Sequence, residues 1–238
     1  MEVIILAGGL GTRLRSVVSE VPKCMAPVAD KPFLWYLLKY LTRFNVSRVV
    51  LSVGYLREVI FKWIEEVKDE FPFSFEYAIE EEPLGTGGGI RLAMNKIKES
   101  EAVILNGDTF FDVNLQQLVD FHRSHIESLL TIALKPMTDF DRYGTVAVTP
   151  NGKVLRFNEK QPCKEGNING GIYVLSKNEQ IFEGQSTRFS FETDIMQRRC
   201  GEKGCLYAEV HNGYFIDIGI PEDYKKADKE FRFLFNQK

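Results

Sequence analysis

Short apolar segments alternate with amphipathic helical patterns through the first half of the sequence. Residues 2–7, 49–53 and 102–105 have the length and composition of buried strands. Between them, apolar residues recur at three- and four-residue spacing after Pro32 and again over residues 59–67, as in helices that bury one face. Strands separated by helices form βαβ units, in which neighbouring strands are parallel. The sequence therefore predicts an α/β fold with a mostly parallel central sheet flanked by helices.

Antiparallel features are predicted for the second half of the chain. Residues 143–148 and 153–157 flank the turn sequence Pro150-Asn151-Gly152, which is typical of a hairpin, and residues 168–175 follow as a strand. Residues 191–199 and 222–235 have helical patterns. Neither a linker nor a repeat divides the sequence. We therefore expect one domain over residues 1–238, with a more antiparallel C-terminal part.

The charge balance argues against a polyanionic partner. The 238 residues include 30 Lys and Arg against 33 Asp and Glu, a formal net charge of −3, so no positive excess favours nucleic acid or an anionic membrane. No apolar stretch reaches the about 20 residues of a membrane-spanning helix. The first residues lack the pattern of a signal peptide. We expect a cytoplasmic protein that binds neither nucleic acid nor membrane.

Two groups of side chains raise the question of a transition-metal site. Cys200 and Cys205 are separated by four residues without a matching His or Cys pair, so free thiols in a reducing compartment explain the cysteines better than zinc. His122 and His125 lie three residues apart on a predicted helix, and a solvated helix face explains them better than a metal pair.

A glycine-rich segment follows the first strand directly and has the sequence Gly8-Gly9-Leu10-Gly11-Thr12-Arg13-Leu14. In an open α/β sheet, ligands bind beyond the carboxyl ends of the strands, where glycines let backbone N–H groups approach phosphate oxygens. The segment lacks the Gly-Lys-Ser/Thr of a P-loop, and Leu14 occupies a position where a dinucleotide-dependent oxidoreductase needs a small residue. Arg13 and Lys23 are cations suited to phosphate. From these residues alone, a phosphate-binding loop and a plain tight turn both stay open.

A longer pattern resembles the signature of the sugar-1-phosphate nucleotidyltransferases. It comprises the whole of residues 6–14 together with Pro22-Lys23-Cys24-Met25-Ala26-Pro27-Val28, and it departs from the family pattern at Cys24, where proline is frequent. The resemblance implies a Rossmann-like nucleotidyltransferase fold without the β-helix domain of some larger relatives. It also implies a nucleotide-binding half over residues 1–112, a sugar-phosphate-binding half over residues 113–238, and transfer of a nucleotidyl group from a nucleoside triphosphate to a sugar 1-phosphate.

The resemblance further implies which residues bind the nucleotide and act in catalysis. Arg13 would stabilise the departing pyrophosphate, Lys23 the phosphate at the reacting centre, and Asp108 a metal ion, so these three are the predicted catalytic residues. The predicted nucleotide-binding residues are Leu6, Ala7, Gly8, Gly9, Gly11, Thr12, Arg13, Lys23, Glu80, Pro83, Gly85, Thr86, Asn106 and Gly107.

Two aspartates are candidates for holding a divalent cation. Asp108 follows a predicted strand in Asn106-Gly107-Asp108, and Asp217 lies in Phe215-Ile216-Asp217-Ile218-Gly219. Mg²⁺ takes oxygen ligands, commonly one or two carboxylates together with substrate phosphates. The two residues lie about a hundred positions apart, so only the fold can bring them together and spacing alone proves nothing. Each could also be an ordinary turn-forming or helix-capping aspartate, which is common. The resemblance implies that Asp108 and Asp217 hold Mg²⁺.

A sugar phosphate needs a cation for its phosphate and hydrogen-bonding groups for its hydroxyls. Taken alone, the polar residues of the second half are explained better by a loop ion pair and turn glycines. Their order is similar to that of the family's sugar-binding half, with Lys160 as the cation. The predicted sugar-phosphate-binding residues are Tyr143, Gly144, Glu159, Lys160, Asn169, Gly170 and Glu192.

Glu80 is the predicted reader of the base, because in related enzymes this position lies about three residues before the proline of the second glycine-rich segment, here Pro83. Guanine offers two adjacent donors, N1–H and the N2 amino group, which a carboxylate can accept, whereas an amide suits uracil better. This favours GTP, although an acidic residue here also suits some uridylyl enzymes. The helix that follows offers a plainer explanation, since negative charge is stable near a helix N-terminus.

Several stretches resemble one branch of the family, the D-glycero-α-D-manno-heptose 1-phosphate guanylyltransferases. They are residues 82–88, 106–112, 137–146 and 189–192. Sister enzymes that use mannose 1-phosphate or N-acetylmuramate 1-phosphate stay open, as does a catalytically silent nucleotide-sugar-binding regulator. The retained Arg13, Lys23, Asp108 and Asp217 argue against the silent regulator. The eighteen phenylalanines leave open a homodimer face or a phenylalanine-rich core.

Overall fold

The computed structural model describes residues 1–8, 21–202 and 205–235 of the chain. Thirteen strands and five α-helices form the described part, together with short 3₁₀ turns and one π-helix, Phe191–Gln197. In chain order they are β1 (Glu2–Leu6), β2 (Pro27–Val28), β3 (Lys31–Pro32), α1 (Phe33–Leu41), β4 (Arg48–Val53), α2 (Arg57–Val67), β5 (Ser74–Ile79), α3 (Gly85–Met94), β6 (Glu101–Asn106), β7 (Thr109–Phe111), α4 (Leu115–Ser124), β8 (Leu130–Phe140), β9 (Val146–Val148), β10 (Val154–Phe157), β11 (Cys163–Ser176), β12 (Leu206–Val210), β13 (Phe215–Asp217) and α5 (Pro221–Leu234).

A seven-stranded sheet with the order β12-β8-β11-β6-β1-β4-β5 forms the centre of the fold. Strands β6, β1, β4 and β5 pair in parallel, and β8 pairs in parallel with β12. Only β11 is reversed among these seven strands, because it pairs antiparallel with both β6 and β8. The predicted mostly parallel sheet is therefore confirmed, and the antiparallel character of its second half comes largely from this one strand.

Side chains alternate between the two faces of the sheet, as the period of two in a strand requires. In β1, Val3 and Ile5 belong to one buried cluster and Ile4 to the other. The first cluster packs against α1, α2, α4 and α5, whereas the second packs against α3 and the π-helix. Helices thus cover both faces, which is why the central strands are apolar along their whole length.

Helix α3 differs most from its predicted boundaries. The sequence pattern predicts this helix over residues 90–97, whereas α3 begins at Gly85. Its first turns contain three consecutive glycines, which sequence propensity disfavours in a helix. Packing explains them: a Cβ on Gly87 would lie 2.3 Å from the Phe189 ring, and a Cβ on Gly88 would lie 2.7 Å from the carbonyl oxygen of Thr187. The glycines therefore let the helix approach the segment that precedes the π-helix.

The predicted solvated face of α4 is wrong at His122, whose side chain is buried. Its ring nitrogens lie 2.8 Å from Thr131 Oγ1 and 2.9 Å from Ser176 Oγ, so the histidine is a hydrogen-bonded core residue. No helix within residues 1–8, 21–202 and 205–235 is long and apolar enough to cross a bilayer. In the same part of the chain, no group of three or more His, Cys, Asp or Glu could hold a metal, and the four cysteines are unpaired.

Candidate active site

The four parallel strands β6, β1, β4 and β5 end at the same edge of the sheet, and Glu80 and Asp108 follow two of them. Register aligns Leu6 of β1 with Ser52 of β4 and with Asn106 of β6, so the loops after these strands lie side by side. Ligands in open α/β folds bind at such an edge. Two cavities open here.

The first cavity has a volume of about 550 Å³. Six of the predicted nucleotide-binding residues line it, and so do several residues that the sequence analysis assigned no role. The six are Leu6, Gly8, Glu80, Pro83, Gly85 and Thr86. The others are Ser52, Gly54, Tyr55, Arg57, Glu81, Glu82 and Arg188. The sequence carries no signal for Arg188 in particular, because it lies more than a hundred residues from the rest of the lining.

Glu80 lies at the inner wall of this cavity, directly after β5. The Ser52 hydroxyl donates to its Oε1 at 3.1 Å, and the backbone N–H of Leu84 donates to its Oε2 at 3.1 Å. Burial raises the pKa of this carboxyl, and the two hydrogen bonds partly offset the increase. A Cβ on Gly89 would lie 2.7 Å from Oε1, so the glycine makes room for the carboxylate. The bond to Leu84 also fits the plainer explanation, an acid at the entry to α3.

A lysine and two aspartates meet beside the first cavity. The Lys23 ammonium bonds to Asp108 Oδ2 and lies 3.9 Å from Asp217 Oδ1. Burial raises the pKa of Asp217, and the neighbouring charge of Asp108 adds to the effect, whereas Lys23 opposes it. Two carboxylates that repel each other thus share one cation.

Backbone pairing sets this geometry. Antiparallel pairing of β7 with β13 places Asp217 opposite Thr109, and the N–H of Ile218 donates to the Asp108 carbonyl at 2.9 Å. Glycine is needed at position 219, because a Cβ there would lie 2.8 Å from Asp217 Oδ1 and 3.1 Å from Lys23 Nζ. The contact between two aspartates so far apart in sequence therefore depends on a short strand pair that the sequence alone does not reveal.

Cys24, the departure from the family pattern, packs behind this cluster. It is 2% exposed, and burial raises the pKa of its thiol to about 12, with the charge of Asp108 adding to the effect. The side chain is therefore a neutral thiol at ordinary pH and adds no charge to the cluster.

The second cavity, of about 570 Å³, lies on the other side of the cluster. Asp217 lines it together with six of the seven predicted sugar-phosphate-binding residues, namely Tyr143, Gly144, Glu159, Lys160, Asn169 and Glu192. Gly170 is the exception: a Cβ there would lie 2.5 Å from the Phe111 ring, so this glycine permits packing rather than access. On the first side, the N–H of Gly107 donates to the carbonyl of Leu6 at 3.1 Å. The cluster therefore lies between the two cavities.

Arg142 is a cavity residue that the sequence analysis missed. It lies in the second cavity, where its Nη2 donates to Asp223 Oδ2 at 2.6 Å, and its side chain is 44% exposed. The hydrogen bond to Asp223 is the main cause of a raised Arg142 pKa. A cation held by a carboxylate therefore accompanies Lys160 in this cavity.

Two asparagines and a tyrosine support the floor of the site. Asn169 Nδ2 donates to Tyr173 Oη at 2.9 Å, and Asn169 Oδ1 accepts the Gly171 N–H at 3.0 Å. The pairing of β11 with β8 is irregular between Asn169 and Tyr173. Gly171 has φ +74°, and a Cβ there would lie 2.8 Å from Asn106 Nδ2. This bulge re-aims Asn169 toward the cavity.

Some of the predicted nucleotide-binding residues do not line the first cavity, and others lie outside the part of the chain that the structure describes. Ala7 is buried, and Asn106 lies beneath the bulge. Gly9, Gly11, Thr12 and Arg13 fall outside the described residues, so their roles stay predictions.

The cluster has the chemistry that a hard divalent cation requires. Asp108 and Asp217 supply carboxylate oxygens, and burial, together with the charge of Asp108, raises the pKa of Asp217 despite the opposing charge of Lys23, so a further cation would stabilise the charged pair. Among the described residues only these two carboxylates meet here, which would leave room for phosphate oxygens and water, as is usual for Mg²⁺ in phosphoryl-transfer sites. Asp108 and Asp217 are thus suited to such an ion.

Comparisons with known proteins find relatives that match this chain over nearly its whole length. The chain is 48% identical over 232 residues to the D-glycero-alpha-D-manno-heptose 1-phosphate guanylyltransferase of Aneurinibacillus thermoaerophilus, covering 98% of this chain and 99% of the relative. It is 45% identical to the protein of the same name from Campylobacter jejuni, covering 99% and 100%. The crystal structure of HddC from Yersinia pseudotuberculosis complexed with GMP-PN superposes with a TM-score of 0.84 at 38% identity, covering 97% of this chain and 99% of that one.

The family match extends over nearly the whole chain. Residues 2–232 match the Nucleotidyl transferase family, which confirms the resemblance seen in the glycine-rich segment and in the residues that follow it. The chain therefore belongs to the nucleotidyl transferase family.

Proposed function

We propose that this protein joins GTP to D-glycero-α-D-manno-heptose 1-phosphate and releases GDP-heptose and pyrophosphate. The observation that carries the proposal is the position of Lys23, Asp108 and Asp217 between two cavities. A transferase that joins two phosphorylated substrates needs such an arrangement, because both phosphates must approach one centre where Lys23 and a cation held by the two aspartates would neutralise their charge. The two bacterial relatives with the highest identity described above are named for the same reaction.

The first cavity would hold the nucleotide, with Glu80 facing the base. A carboxylate oxygen has two lone pairs, so each oxygen of Glu80 keeps accepting capacity beyond its bond to Ser52 or Leu84. Guanine N1–H and N2–H₂ are adjacent donors that suit this acceptor. Uracil would bring a carbonyl next to the carboxylate. This preference supports GTP over UTP.

The second cavity would hold the sugar 1-phosphate. Lys160 and Arg142 supply positive charge for the phosphate, while Glu159, Asn169 and Glu192 offer acceptors and an amide for the hydroxyls. Asp223 fixes Arg142 through its hydrogen bond, so little side-chain entropy remains to be lost on binding. The mannose 1-phosphate alternative uses the same groups, and only a direct assay separates the two sugars.

In the proposed mechanism, a phosphate oxygen of the sugar 1-phosphate attacks the α-phosphate of GTP in line, and pyrophosphate leaves. A phosphate monoester has a second pKa of about 6, so the nucleophile needs no general base at neutral pH. No histidine lines either cavity in the described part of the chain. Catalysis then rests on positioning two polyanions and on stabilising negative charge.

Each charged group of the centre has a proposed part in this step. Lys23 donates to the phosphate at the reacting centre, and Arg13 stabilises the departing pyrophosphate. Asp108 and Asp217 would hold Mg²⁺. When bound, that ion would supply positive charge that offsets the negative charge of the phosphates. Asp108 and a substrate phosphate would compete for the ammonium of Lys23. Release of Lys23 from Asp108 would therefore free the ammonium to bind substrate.

We also propose that the reaction takes place in the cytoplasm and that its product serves a surface polysaccharide. A homodimer stays a prediction.

The experiment is a matrix of pyrophosphate-release assays on the purified protein. GTP, UTP, ATP, CTP and dTTP are each combined with D-glycero-α-D-manno-heptose 1-phosphate, mannose 1-phosphate and N-acetylmuramate 1-phosphate. The proposal requires GTP with the heptose phosphate to give the highest kcat/KM. Higher values with mannose 1-phosphate or with UTP would support the sister reactions instead, and binding without turnover would support a silent regulator.

Glu80→Gln tests the base assignment within the same assay. Loss of the acceptor for two guanine donors should lower kcat/KM for GTP by about 10- to 100-fold while that for UTP rises or holds. Glu65→Gln, at an exposed position on α2 where Glu65 pairs with Lys68, is the matched control. An equal loss for both nucleotides would contradict a base-reading role.

A further inference from the structure

A hydrogen-bonded link joins the two cavities through Thr86. Thr86 lines the first cavity and Glu192 lines the second, yet Thr86 Oγ1 donates to Glu192 Oε2 at 2.8 Å. Thr86 Oγ1 also accepts the backbone N–H of Phe191 at 2.9 Å. These contacts cross more than a hundred residues of sequence.

The hydroxyl of Thr86 is committed to this link. A threonine hydroxyl has one proton, and that proton is donated to Glu192. It is therefore not available to a carbonyl or phosphate oxygen of a nucleotide while the link is intact. Thr86 is a predicted nucleotide-binding residue and does line the first cavity, but its hydroxyl bonds to a carboxylate of the second cavity.

Within the described part of the chain, only one of the two carboxylate oxygens of Glu192 accepts hydrogen bonds. Its Oε2 accepts from Thr86 and from the Ser190 hydroxyl, the latter at 3.0 Å. Its Oε1 makes no hydrogen bond to any part of the chain that the structure describes. Two donors on one oxygen fix the carboxylate plane, and the other oxygen is left for a ligand in the second cavity.

The backbone reinforces the link. Phe189 N–H donates to the Leu84 carbonyl at 3.0 Å, and Gly87 N–H donates to the Phe189 carbonyl at 3.0 Å. The start of α3 and the segment before the π-helix are thereby joined on both sides of Thr86. The Thr86 hydroxyl is the point at which this backbone connection reaches a cavity side chain.

We propose that Thr86 is a positioning residue for the sugar substrate: its hydroxyl orients Glu192 so that Oε1 accepts a hydrogen bond from a hydroxyl of the sugar 1-phosphate. This inference rests on the proposed function and assigns to a residue of the nucleotide cavity a part in sugar binding. This role differs from nucleotide binding in a measurable way, because loss of the hydroxyl should weaken binding of the sugar 1-phosphate and leave binding of GTP unaffected.

The test compares Thr86→Val, which keeps the shape and removes the hydroxyl, with Thr86→Ser, which restores it. Thr86→Val should raise the KM for the sugar 1-phosphate about tenfold, the lower end of the effect of a hydrogen bond to a charged group, with KM for GTP unchanged. Thr86→Ser should recover most of the loss. Thr42→Val is the matched control, since the Thr42 hydroxyl bonds only to the carbonyl of Lys39 at the end of α1, away from both cavities.

A double-mutant cycle with Glu192→Gln separates positioning from a general structural effect. If Thr86 acts through Glu192, Thr86→Val adds little once Glu192 is replaced. The inference is overturned if Thr86→Val raises the KM for GTP as much as that for the sugar, if the full loss persists in the Glu192→Gln background, or if Thr86→Ser restores nothing.

The outcome stays separable from that of the proposed function. The wild-type protein is assayed first, and the variants are compared on whichever sugar phosphate and nucleotide it uses best. A wild-type protein that prefers another pair therefore overturns the proposed substrates while Thr86 is still tested. If wild-type turnover is absent, the Kd of each sugar phosphate and of GTP is measured by calorimetry on the same variants. Absence of sugar-phosphate binding by the wild-type protein would then overturn the role of Thr86 as well.

Discussion

His122 lies in a buried hydrogen-bonding network that requires a neutral imidazole. Ser176 donates to the Ser128 carbonyl at 3.1 Å, so its oxygen accepts from His122 Nε2–H, and His122 Nδ1 accepts from the Thr131 hydroxyl. A second ring proton would face the Thr131 hydroxyl proton. Burial lowers the pKa of His122 from 6.5 to about 4, with smaller contributions from the charges of Arg123 and His125.

The lowered pKa makes the free energy of unfolding fall in acid. Between the folded and unfolded pKa values the unfolded chain binds more protons, so stability is highest above pH 6.5 and declines as the pH falls toward 4. The whole difference corresponds to about 3 kcal/mol, of which about 2 kcal/mol is lost between pH 7.5 and 5. Replacement of His122 by glutamine, which does not titrate, should remove this part of the pH dependence.

Urea unfolding at pH 7.5 and pH 5 measures the effect for the wild-type protein and for His122→Gln. The loss of stability between the two pH values should be about 2 kcal/mol smaller in the variant. Ile60→Val is the control: it truncates a fully buried side chain on α2 and lowers stability by about 1 kcal/mol without removing a titrating group. An unchanged pH dependence in His122→Gln would refute the neutral buried histidine.

Two further predictions concern backbone and charge at buried positions. Glu2→Ala should lower the free energy of unfolding by about 2–3 kcal/mol, because Glu2 is 4% exposed and its carboxylate accepts hydrogen bonds from Arg48 Nε and from the backbone N–H groups of Lys98 and Glu99, whereas Arg48 keeps its ion pair with Glu76; a loss below about 1 kcal/mol in chemical unfolding would contradict this. Gly171→Ala should destabilise more than Gly184→Ala in the same measurement, since both have positive φ and cost about 1 kcal/mol in strain, but only Gly171 would bring a Cβ within 2.8 Å of Asn106. Equal losses of unfolding free energy in the two variants would show that the bulge accommodates the added methyl group without further destabilisation.

The central sheet was predictable because its strands are apolar on both faces. Residues 2–7, 49–53 and 102–105 match β1, β4 and β6 within a residue or two, since helices cover both sides of these strands. The reversal of β11 was not predictable, because direction depends on pairing and leaves no mark on local composition. The sequence predicts that α3 begins at Ile90, later than it does, because the low helix propensity of glycine argues against a helix over residues 87–89. Packing against Phe189 and Thr187 requires glycine at positions 87 and 88.

The sequence places Glu80 directly after β5 and Asp108 two residues after the end of β6, at the edge where ligands bind, but their roles came from the family resemblance. The contact of Lys23 with Asp217 depends on the pairing of β7 with β13 and was supplied by resemblance alone. Arg142 and Arg188 were missed because a surface arginine has no local signal that separates a cavity from solvent. His122 was misplaced because its partners, Thr131 and Ser176, come from distant strands.

The most direct test of the account is the turnover of Asp108→Ala. If two phosphorylated substrates react where Lys23, Asp108 and Asp217 meet, this variant should fold normally and bind GTP, while its pyrophosphate release falls by at least about 10²- to 10³-fold. Asp120→Ala, at an exposed position on α4 where Asp120 accepts from Gln116, should retain wild-type turnover. Asp108→Ala with near wild-type activity would remove the reaction from this cluster.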